Sequence, residues 1–399
     1  MAEPPRRKSL VTARTSTLAV WSFVLGLIGL CGVLFAIAAI ICGHLGRARL
    51  ARSAGRLSGG GFALTGLILG YGSVAMWAVI GWFFIQYYQE QQLVRERDTI
   101  AVHLAETPVP AFPELPPFSR LEPSEVRVCQ FQLPLDDEQG GRPGFQMSFR
   151  IYLPAREAAP KSLPCVLVAP AGTNLLSGAD LDDLDEFAYH DEALPYAEAG
   201  IAAVLYSIDG QDPSEELEDE TAKVEAMKKA YLAFKAAGAG VVNGRDALEL
   251  VLARLPEVDP ARIYSAGHSS AATLSLLLGA HEPRLAGSLA YAPATDLEAH
   301  FGDLLTGFQS AILFPDLRRF ARDSSPVSHL DTLDRPVFLF FADDDRLVSP
   351  ASAKAFTDRI QAINPGVTVK TVERGGHYQS MIGEGIPAGI EWILSQPAK

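Results

Sequence analysis

The stretch Ile263-Tyr264-Ser265-Ala266-Gly267-His268-Ser269-Ser270-Ala271 decides which fold this chain is expected to adopt. Its first four residues predict a strand, and Ser270 opens a helical pattern. Gly267 and Ala271 flank Ser269 two positions before and two positions after, where a strained strand-to-helix turn leaves little room for side chains. The stretch therefore predicts a strand, a sharp turn that carries Ser269, and a helix.

A carboxylate suited to act with this serine follows a later predicted strand. Asp345 stands three positions after Ala342 and three before Val348, which matches a Gly-x-x-Asp-x-x-Val turn with alanine in place of glycine. Asp343 and Asp344 are the competing carboxylates, and we expect them to be turn and solvent residues. The spacing therefore selects Asp345.

A histidine in the right place completes the set. His377 comes 32 positions after Asp345, behind a predicted strand at 367–372 and the flexible pair Gly375-Gly376. A serine hydroxyl is a poor nucleophile until a positioned imidazole takes its proton, and the imidazole needs a carboxylate to fix its tautomer. The chain order Ser269, Asp345, His377 therefore predicts the nucleophile, the acid and the base of a catalytic triad.

Alternatives remain open for this site. Ser269 also suits the N-cap of the helix that follows, because serine is favoured there. His268 adjoins Ser269, and its side chain is expected to point away from the hydroxyl. No metal or other cofactor is expected, because the remaining candidates show no metal-ligand spacing. They are His190, His281, His300 and His329.

An oxyanion hole requires two hydrogen-bond donors aimed at the negative charge that develops during the reaction. The backbone N–H of Ser270 is the first candidate. The second is expected from the turn after a predicted strand at 165–169, where Ala171 or Gly172 could offer its N–H. Pro170 has no N–H to offer. An ordinary turn at the end of a strand is the alternative for this segment.

From about residue 125 the chain alternates between predicted strands and helices. Segments 126–133 and 145–153 alternate apolar and polar residues, as antiparallel strands do. Such a pattern predicts an α/β fold with a doubly wound, mostly parallel sheet and a site at the carboxyl ends of the strands. Buried parallel strands are predicted at 165–169, 201–206 and 337–341, and helices at 193–199, 246–255, 270–281, 351–363 and 386–394.

Over residues 145–395 the sequence resembles the prolyl oligopeptidase-like and dienelactone hydrolase-like branch of the α/β-hydrolases. The resemblance rests on the three turns described above, on Val258-Asp259-Pro260-Ala261-Arg262-Ile263, and on Ser325-Pro326 before the acid strand. It implies an α/β-hydrolase fold with the serine, aspartate and histidine named above as nucleophile, acid and base. The propeller of the oligopeptidases has no counterpart here, and serine stands where true dienelactone hydrolases have a thiol.

We therefore expect a serine hydrolase that cleaves an ester through an acyl-enzyme, with a peptide or amide bond as the second choice. Its substrate would be a small-molecule ester or a peptide. The rival interpretation is a noncatalytic binding protein that has the α/β-hydrolase fold but no hydrolase activity. Ala271, Ala342 and Pro170 favour the rival because they depart from the usual residues, whereas the intact serine, aspartate and histidine oppose it.

The first hundred residues have the composition of a membrane segment. No Asp, Glu, Lys or Arg occurs at 15–46 or at 57–89, and each stretch exceeds the roughly 20 apolar residues that span a bilayer. We predict two transmembrane helices, at 18–42 and 62–87. A signal peptide is the alternative for the first, but that run is too long for one and a second run follows at once.

Residues 17–88 resemble the two-helix hairpin domain of unknown function found at the start of many bacterial membrane proteins. The resemblance rests on Ala38-Ala39-Ile40-Ile41-Cys42-Gly43-His44, on Gly66-Leu67-Ile68-Leu69-Gly70-Tyr71, and on the arginine-rich loop between them. It implies anchoring and no chemistry. The loop arginines argue that the loop is cytoplasmic and the hydrolase extracytoplasmic, although basic residues at both ends of the hairpin leave the count undecided.

Charge and cysteine usage narrow the possible functions further. Residues 1–100 hold ten Lys or Arg and four Asp or Glu, a balance of +6, so the remainder carries −19 because the whole chain carries −13. So acidic a domain is not expected to hold nucleic acid or an anionic membrane surface by charge. Cys129 and Cys165 could pair only if their strands adjoin, and two buried thiols are expected instead.

Prolines are concentrated between residues 103 and 125, where they favour extended polyproline backbone over helix. This segment predicts a stalk that holds the enzyme off the bilayer. The expected division of the chain is an N-terminal tail at 1–17, a two-helix transmembrane hairpin at 18–88, a Pro-rich linker at 89–124 and an α/β-hydrolase domain at 125–399.

Overall fold

The computed structural model divides the chain into two compact units, Met1–Arg97 and Asp98–Lys399. Most of the predicted tail lies outside the described residues. The structure describes residues 13–95, 99–135, 142, 145–172, 176–181, 190–302, 305, 313–314 and 316–397, and for 86–95 it describes the backbone alone.

Three helices make up the described part of the first unit. They are α1 Thr17–Ile28, α2 Val33–Arg52 and α3 Gly60–Arg95. A 3₁₀ turn, Gly29–Cys31, separates α1 from α2. Two short strands, β1 Arg14–Thr15 and β2 Leu57–Ser58, pair in parallel, so the start of α1 and the loop before α3 lie at the same end of the unit.

The first predicted transmembrane helix, residues 18–42, is not one helix, because the chain turns back on itself at 29–32. A Cβ on Gly29 would lie 2.9 Å from the Ala36 Cα, so only glycine allows the two arms to meet there. The second predicted helix, 62–87, lies within α3. Two helical segments, Val33–Arg52 and Gly60–Ile85, are long and apolar enough to cross a membrane, whereas α1 has 12 residues.

A nine-stranded sheet runs through the described part of the second unit, in the spatial order β11-β10-β9-β8-β6-β7-β5-β4-β3. The pairs that join β7, β6, β8, β9, β10 and β11 are parallel, and those that involve β3, β4 and β5 are antiparallel. This arrangement confirms the mostly parallel sheet. The strands are β3 Ser119–Leu121, β4 Val126–Pro134, β5 Gln146–Leu153, β6 Leu163–Val168, β7 Ala202–Tyr206, β8 Val258–His268, β9 Gly287–Tyr291, β10 Val337–Ala342 and β11 Val367–Val372.

Helices cover both faces of this sheet. Along β6, Cys165 and Leu167 pack into the apolar cluster that holds Leu248 and Leu277, while Val166 and Val168 pack into the opposite cluster with Tyr196 and Trp392. The sheet is therefore doubly wound, and its core lies on two sides. The helices are α4 Thr99–Glu106, α5 His190–Glu198, α6 Glu220–Ala236, α7 Val241–Arg254, α8 Ser270–His281, α9 Leu297–Phe301, α10 Leu317–Asp323, α11 Pro350–Gln361 and α12 Ile386–Ser395.

The segment expected to be an extended stalk belongs instead to the second unit. Its first part is helix α4, and Ile100 is buried in the core. The Arg245 guanidinium on α7 donates to the carbonyl oxygens of Leu104 at 3.0 Å, Thr107 at 2.7 Å and Pro108 at 3.2 Å. Sequence pattern alone missed this segment because its partner lies about 140 positions away.

The two cysteines of the second unit are free and buried. Cys129 is in β4 and Cys165 in β6, and strands β5 and β7 lie between them in the sheet, so the expected thiols are confirmed. Burial raises the pKa of the Cys129 thiol to about 11 and that of the Cys165 thiol further.

Candidate active site

Ser269 lies at the turn between β8 and α8, at the carboxyl end of β8. Its backbone has φ 56° and ψ −118°, a conformation that residues other than glycine rarely adopt and that stores strain. Its N–H donates to the Tyr291 carbonyl at 2.8 Å, which ties the turn to β9. The Ser269 side chain makes no capping hydrogen bond to α8, so the N-cap alternative is not supported.

The residues two positions away on each side meet across this turn. A Cβ on Gly267 would lie 2.4 Å from the backbone oxygen of Ala271 and 2.7 Å from its Cβ. Glycine is therefore required at position 267, while the Ala271 methyl group fits in a buried site. The departure at position 271 is compatible with the turn.

His377 and Asp345 are hydrogen-bonded, with 2.7 Å between Nδ1 and Oδ2. The other carboxylate oxygen accepts the N–H groups of Leu347 at 2.8 Å and Val348 at 3.0 Å. Burial raises the pKa of Asp345, but these hydrogen bonds outweigh it and hold the pKa below its usual value. The carboxylate is therefore charged and holds a proton on His377 Nδ1.

The other ring nitrogen of His377 remains available. Nε2 is buried and has no hydrogen-bond partner among the residues that the structure describes. In the same described residues no hydrogen bond joins it to the Ser269 hydroxyl. The structure thus joins the predicted acid and base directly, and it holds the predicted nucleophile on the adjacent turn without that contact.

Asp344 holds the backbone of the loop that carries His377. Its carboxylate accepts the N–H of Gly376 at 2.7 Å and that of Gly375 at 3.2 Å. Both glycines have positive φ, 124° for Gly375 and 61° for Gly376, a region that glycine alone populates readily. Asp344 lies in a turn and is exposed, as expected, and its contact with the two glycine amides is an addition that the sequence did not predict.

His268 contacts the same loop from the serine side. Its Nε2 lies 2.9 Å from the His377 carbonyl oxygen, and the two rings are 4.5 Å apart. Burial, together with the charge that His377 can carry, lowers the pKa of His268 to about 4, so its ring is neutral near pH 7 and donates from Nε2–H. Because His268 adjoins Ser269, this contact brings the serine turn beside the His377 loop.

The predicted oxyanion donors share one edge of the sheet with these residues. Strand β6 pairs in parallel with β8, with Val168 opposite Ala266, so the segment after β6 lies next to the serine turn. Ala171 is buried there, and Gly172 has a φ of 82°. Ser270 is the first residue of α8 and is also buried.

Several solved structures share this architecture. Acetyl xylan esterase from Paenibacillus sp. R4 matches with a TM-score of 0.53 and 17% identity, over 75% of this chain and 93% of the esterase. Acetyl xylan esterase 1 from Thermoanaerobacterium sp. JW/SL YS485 matches with 0.52 and 18%, over 74% and 92%. The acylaminoacyl peptidase of Pyrococcus horikoshii matches with 0.50 and 13%, over 69% of this chain and 43% of the peptidase.

The second unit has the α/β-hydrolase fold. In this hydrolase unit, Asp98–Lys399, the parallel strands β8, β10 and β11 end at the edge where Ser269, Asp345 and His377 follow them. Among the described residues, no group of three or more His, Cys, Asp or Glu is placed to hold a metal ion.

The first unit matches a different family model. Residues 18–80 match DUF4190, a domain of unknown function. This region contains Val33–Arg52 and most of Gly60–Ile85, the two helical segments that are long and apolar enough to cross a membrane. No curated protein matches the chain.

Sequence reasoning missed Asp344 and His268 as parts of the hydrolase site. A signal for Asp344 was present in the strand register, because β10 and β11 pair in parallel with Ala342 opposite Val372. The residues that follow the ends of β10 and β11 therefore lie opposite each other. The backbone N–H groups of the glycine pair after β11 need a hydrogen-bond acceptor, and a carboxylate after β10 can supply it. His268 gave no comparable signal, since its contact depends on how two loops meet.

Proposed function

We propose that the hydrolase unit is a serine hydrolase that cleaves an ester through an acyl-enzyme intermediate. The observation that carries the proposal is the 2.7 Å bond between His377 and Asp345, with the other ring nitrogen of His377 unpartnered among the described residues. A serine in a strained turn lies on the neighbouring loop. These are the parts that an activated serine nucleophile needs.

In the first half of the reaction the Ser269 hydroxyl oxygen attacks the carbonyl carbon of the ester, and His377 Nε2 takes the hydroxyl proton. The tetrahedral intermediate then expels the alcohol, which leaves with that proton. In the second half a water molecule gives a proton to Nε2 as its oxygen attacks the acyl carbon, and Nε2 then passes that proton to the Ser269 oxygen as its bond to the acyl group breaks and the acid leaves. Asp345 stays ionised throughout and stabilises the imidazolium.

The contact between nucleophile and base is expected to form when substrate binds. Catalytic hydrogen bonds are often long in proteins without substrate and tighten in the substrate complex. Asp344 and His268 limit how far His377 can move, because one holds the two glycine amides before it and the other holds its carbonyl. We assign both as positioning residues.

The developing oxyanion would be held by backbone N–H groups. Ser270 is one proposed donor, and either Ala171 or Gly172 is the other. Their support is topological, because β6 and β8 are neighbours and end at one edge. Loss of one such donor costs on the order of 3 kcal/mol of transition-state stabilisation.

Two further points favour an ester over the alternatives. The chain covers more than nine tenths of the two named acetyl xylan esterases but 43% of the acylaminoacyl peptidase. The noncatalytic alternative rested on Ala271, which the turn accommodates, as well as on Ala342 and Pro170. A peptidase remains the second candidate because the same groups attack amides.

A fluorophosphonate probe and an ester hydrolysis screen test the proposal on the full chain. Wild type should be labelled and should hydrolyse short acyl esters, whereas Ser269→Ala should lose both while it stays folded. Ser162→Ala, which changes an exposed serine before β6, is the control and should behave like wild type. Labelling that persists in Ser269→Ala would show that another residue is the nucleophile. An unlabelled wild type would favour a noncatalytic binding protein with the α/β-hydrolase fold.

We also propose that the first unit anchors the enzyme in a membrane. Its support is the pair of segments Val33–Arg52 and Gly60–Ile85, together with large apolar side chains on the outside of the helices. The full chain should then stay in the pellet after carbonate extraction. Release into the supernatant would reject the anchor without affecting the proposed chemistry.

A further inference from the structure

The turn that joins α1 to α2 exposes only apolar and small side chains. We call residues 27–37 the hairpin tip. Leu30, Leu34 and Phe35 are exposed in it, Leu34 by 76%, and no Asp, Glu, Lys or Arg occurs at 15–46. A soluble protein rarely leaves so continuous an apolar patch in water. The composition of the tip fits hydrocarbon surroundings.

A contact with α3 shows how far the hairpin tip extends along that helix. The Trp77 indole N–H donates to the Gly29 carbonyl oxygen at 3.2 Å, so the tip lies level with Trp77. At 1.5 Å per residue, the rise from Gly60 to Trp77 is roughly 26 Å, and the apolar helix continues for about 12 Å more to Ile85. The tip therefore ends well before the apolar part of α3 does.

Counted only over its uncharged residues, neither arm of the α1–α2 hairpin is long enough to cross by itself, because α2 reaches the length of a span only with its arginine-containing last turns. The 12 residues of α1 rise roughly 18 Å, and the part of α2 before Arg47 rises roughly 21 Å. The hydrocarbon core of a bilayer is about 30 Å thick. Both arms fall short by a similar amount, as expected for a hairpin that enters from one face.

Resting on the membrane anchor proposed above, we infer that α1 and α2 form a re-entrant hairpin and that α3 alone crosses the bilayer. Non-helical backbone at membrane depth must find partners inside the protein. The tip meets this requirement, because the Gly29 carbonyl accepts from Trp77 and also from the Gly32 N–H at 3.2 Å.

This arrangement decides the sidedness that the two-helix prediction left open. Strands β1 and β2 pair Arg14 with Leu57, so the residues just before α1 and the loop after α2 lie on the same face. Among the described residues that face gathers five basic residues, against Arg95 at the other end of α3, and the face richer in Lys and Arg is the cytoplasmic one. The hydrolase unit then follows α3 on the opposite, extracytoplasmic side. The five are Arg14, Arg47, Arg49, Arg52 and Arg56.

Cysteine accessibility in the full chain tests this inference. Cys31→Ser and Cys42→Ser remove the cysteines of the first unit, and this parent protein is the blank, because Cys129 and Cys165 are buried with raised thiol pKa values and should react only after denaturation. Single cysteines are then placed at Ala13, Leu34 or Val109. Cells are treated with a membrane-impermeant maleimide before and after permeabilisation, and again after detergent denaturation.

We expect Val109→Cys to react in intact cells, Ala13→Cys only after permeabilisation, and Leu34→Cys only after denaturation. Reaction of Ala13→Cys together with Val109→Cys in intact cells would establish two crossings and overturn the inference. Reaction of Leu34→Cys in intact cells would establish three crossings, and a reversed order of Ala13→Cys and Val109→Cys would overturn the orientation. Failure of the anchor itself would show separately, as release of the chain by carbonate.

Discussion

The two units of this chain place large and small side chains in opposite ways. In the first unit the buried positions are mostly small, such as Ala19, Ser22, Ala36 and Ala63, while Trp, Phe, Ile and Leu face outward. In the hydrolase unit the core is built from Phe, Tyr, Ile, Leu and Val, and few large apolar side chains are exposed. The difference is the one expected if, as proposed, hydrocarbon surrounds the first unit and water surrounds the second.

The polar groups follow the same division. In the first unit, small residues allow close helix contacts, and a Cβ on Gly66 would lie 2.2 Å from the Ser22 hydroxyl oxygen. This matches the packing that lipid-solvated helices use, since they gain nothing by hiding apolar surface from lipid. In the hydrolase unit, buried charges such as Asp345 are concentrated where hydrogen bonds hold them. The proposed chemistry and the proposed anchor therefore rest on different units of the chain.

The largest effect is expected at the buried carboxylate of the hydrolase unit. Asp345→Asn should lower kcat roughly 10⁴-fold, because an amide no longer holds the proton on His377 Nδ1. Asp343→Asn is the matched control and should stay near wild type. Asp344→Asn should fall between them, because one of its two acceptor oxygens is lost. Ester hydrolysis rates measure all three, and a fully active Asp345→Asn would remove the acid from the site.

The same charged substitution at two exposed leucines, one in each unit, tests the comparison of solvents. Leu34→Asp, in the hairpin tip, should cost about 3 kcal/mol of membrane insertion and should increase the fraction that carbonate extracts. Leu232→Asp, on α6 of the hydrolase unit, replaces a leucine that is 61% exposed and should change stability by less than about 0.5 kcal/mol. Equal, negligible effects at both positions would mean that the tip lies in water.

The boundary between the units can be located by truncation. A fragment that starts at Asp98 keeps α4 and the three carbonyl partners of Arg245, whereas one that starts at Leu121 loses them together with buried Ile100. The shorter fragment should be less stable by on the order of 3 kcal/mol, because a guanidinium loses charge-assisted hydrogen bonds. Urea unfolding compares the two. Equal stability would show that residues 98–120 are the passive stalk first expected.

The smallest effect concerns pH and the neutral His268. Its pKa is about 4 in the folded unit against 6.5 for an unperturbed histidine. Between pH 6.5 and pH 4, His268 is therefore protonated in the unfolded chain but neutral in the folded unit. Wild type should therefore lose stability as pH falls from 6.5 to 4, by about 2 kcal/mol at pH 5. His268→Asn keeps a donor for the His377 carbonyl and should lack this loss. Parallel pH profiles for both proteins would argue against a buried, neutral His268.

Local sequence signals predicted much of the second unit and its site. The turn at Ser269, the bounds of α8 and the strand before Asp345 are set by neighbours within a few residues, and each agrees with the structure. Other features depend on contacts between distant positions. The break at Gly29 exists because Ala36 packs against it, and α4 belongs to the hydrolase unit because Arg245 holds the segment that follows it. No pattern over a short window contains those partners.

The central claim is that the hydrolase unit carries a Ser269 nucleophile and folds without the first unit. The most direct test is to treat the fragment Asp98–Lys399 with a fluorophosphonate and to map the modified peptide by mass spectrometry. We expect a soluble fragment with one phosphonylated residue, Ser269, and no label after Ser269→Ala. A label on another residue, or a folded fragment that takes up none, would contradict it.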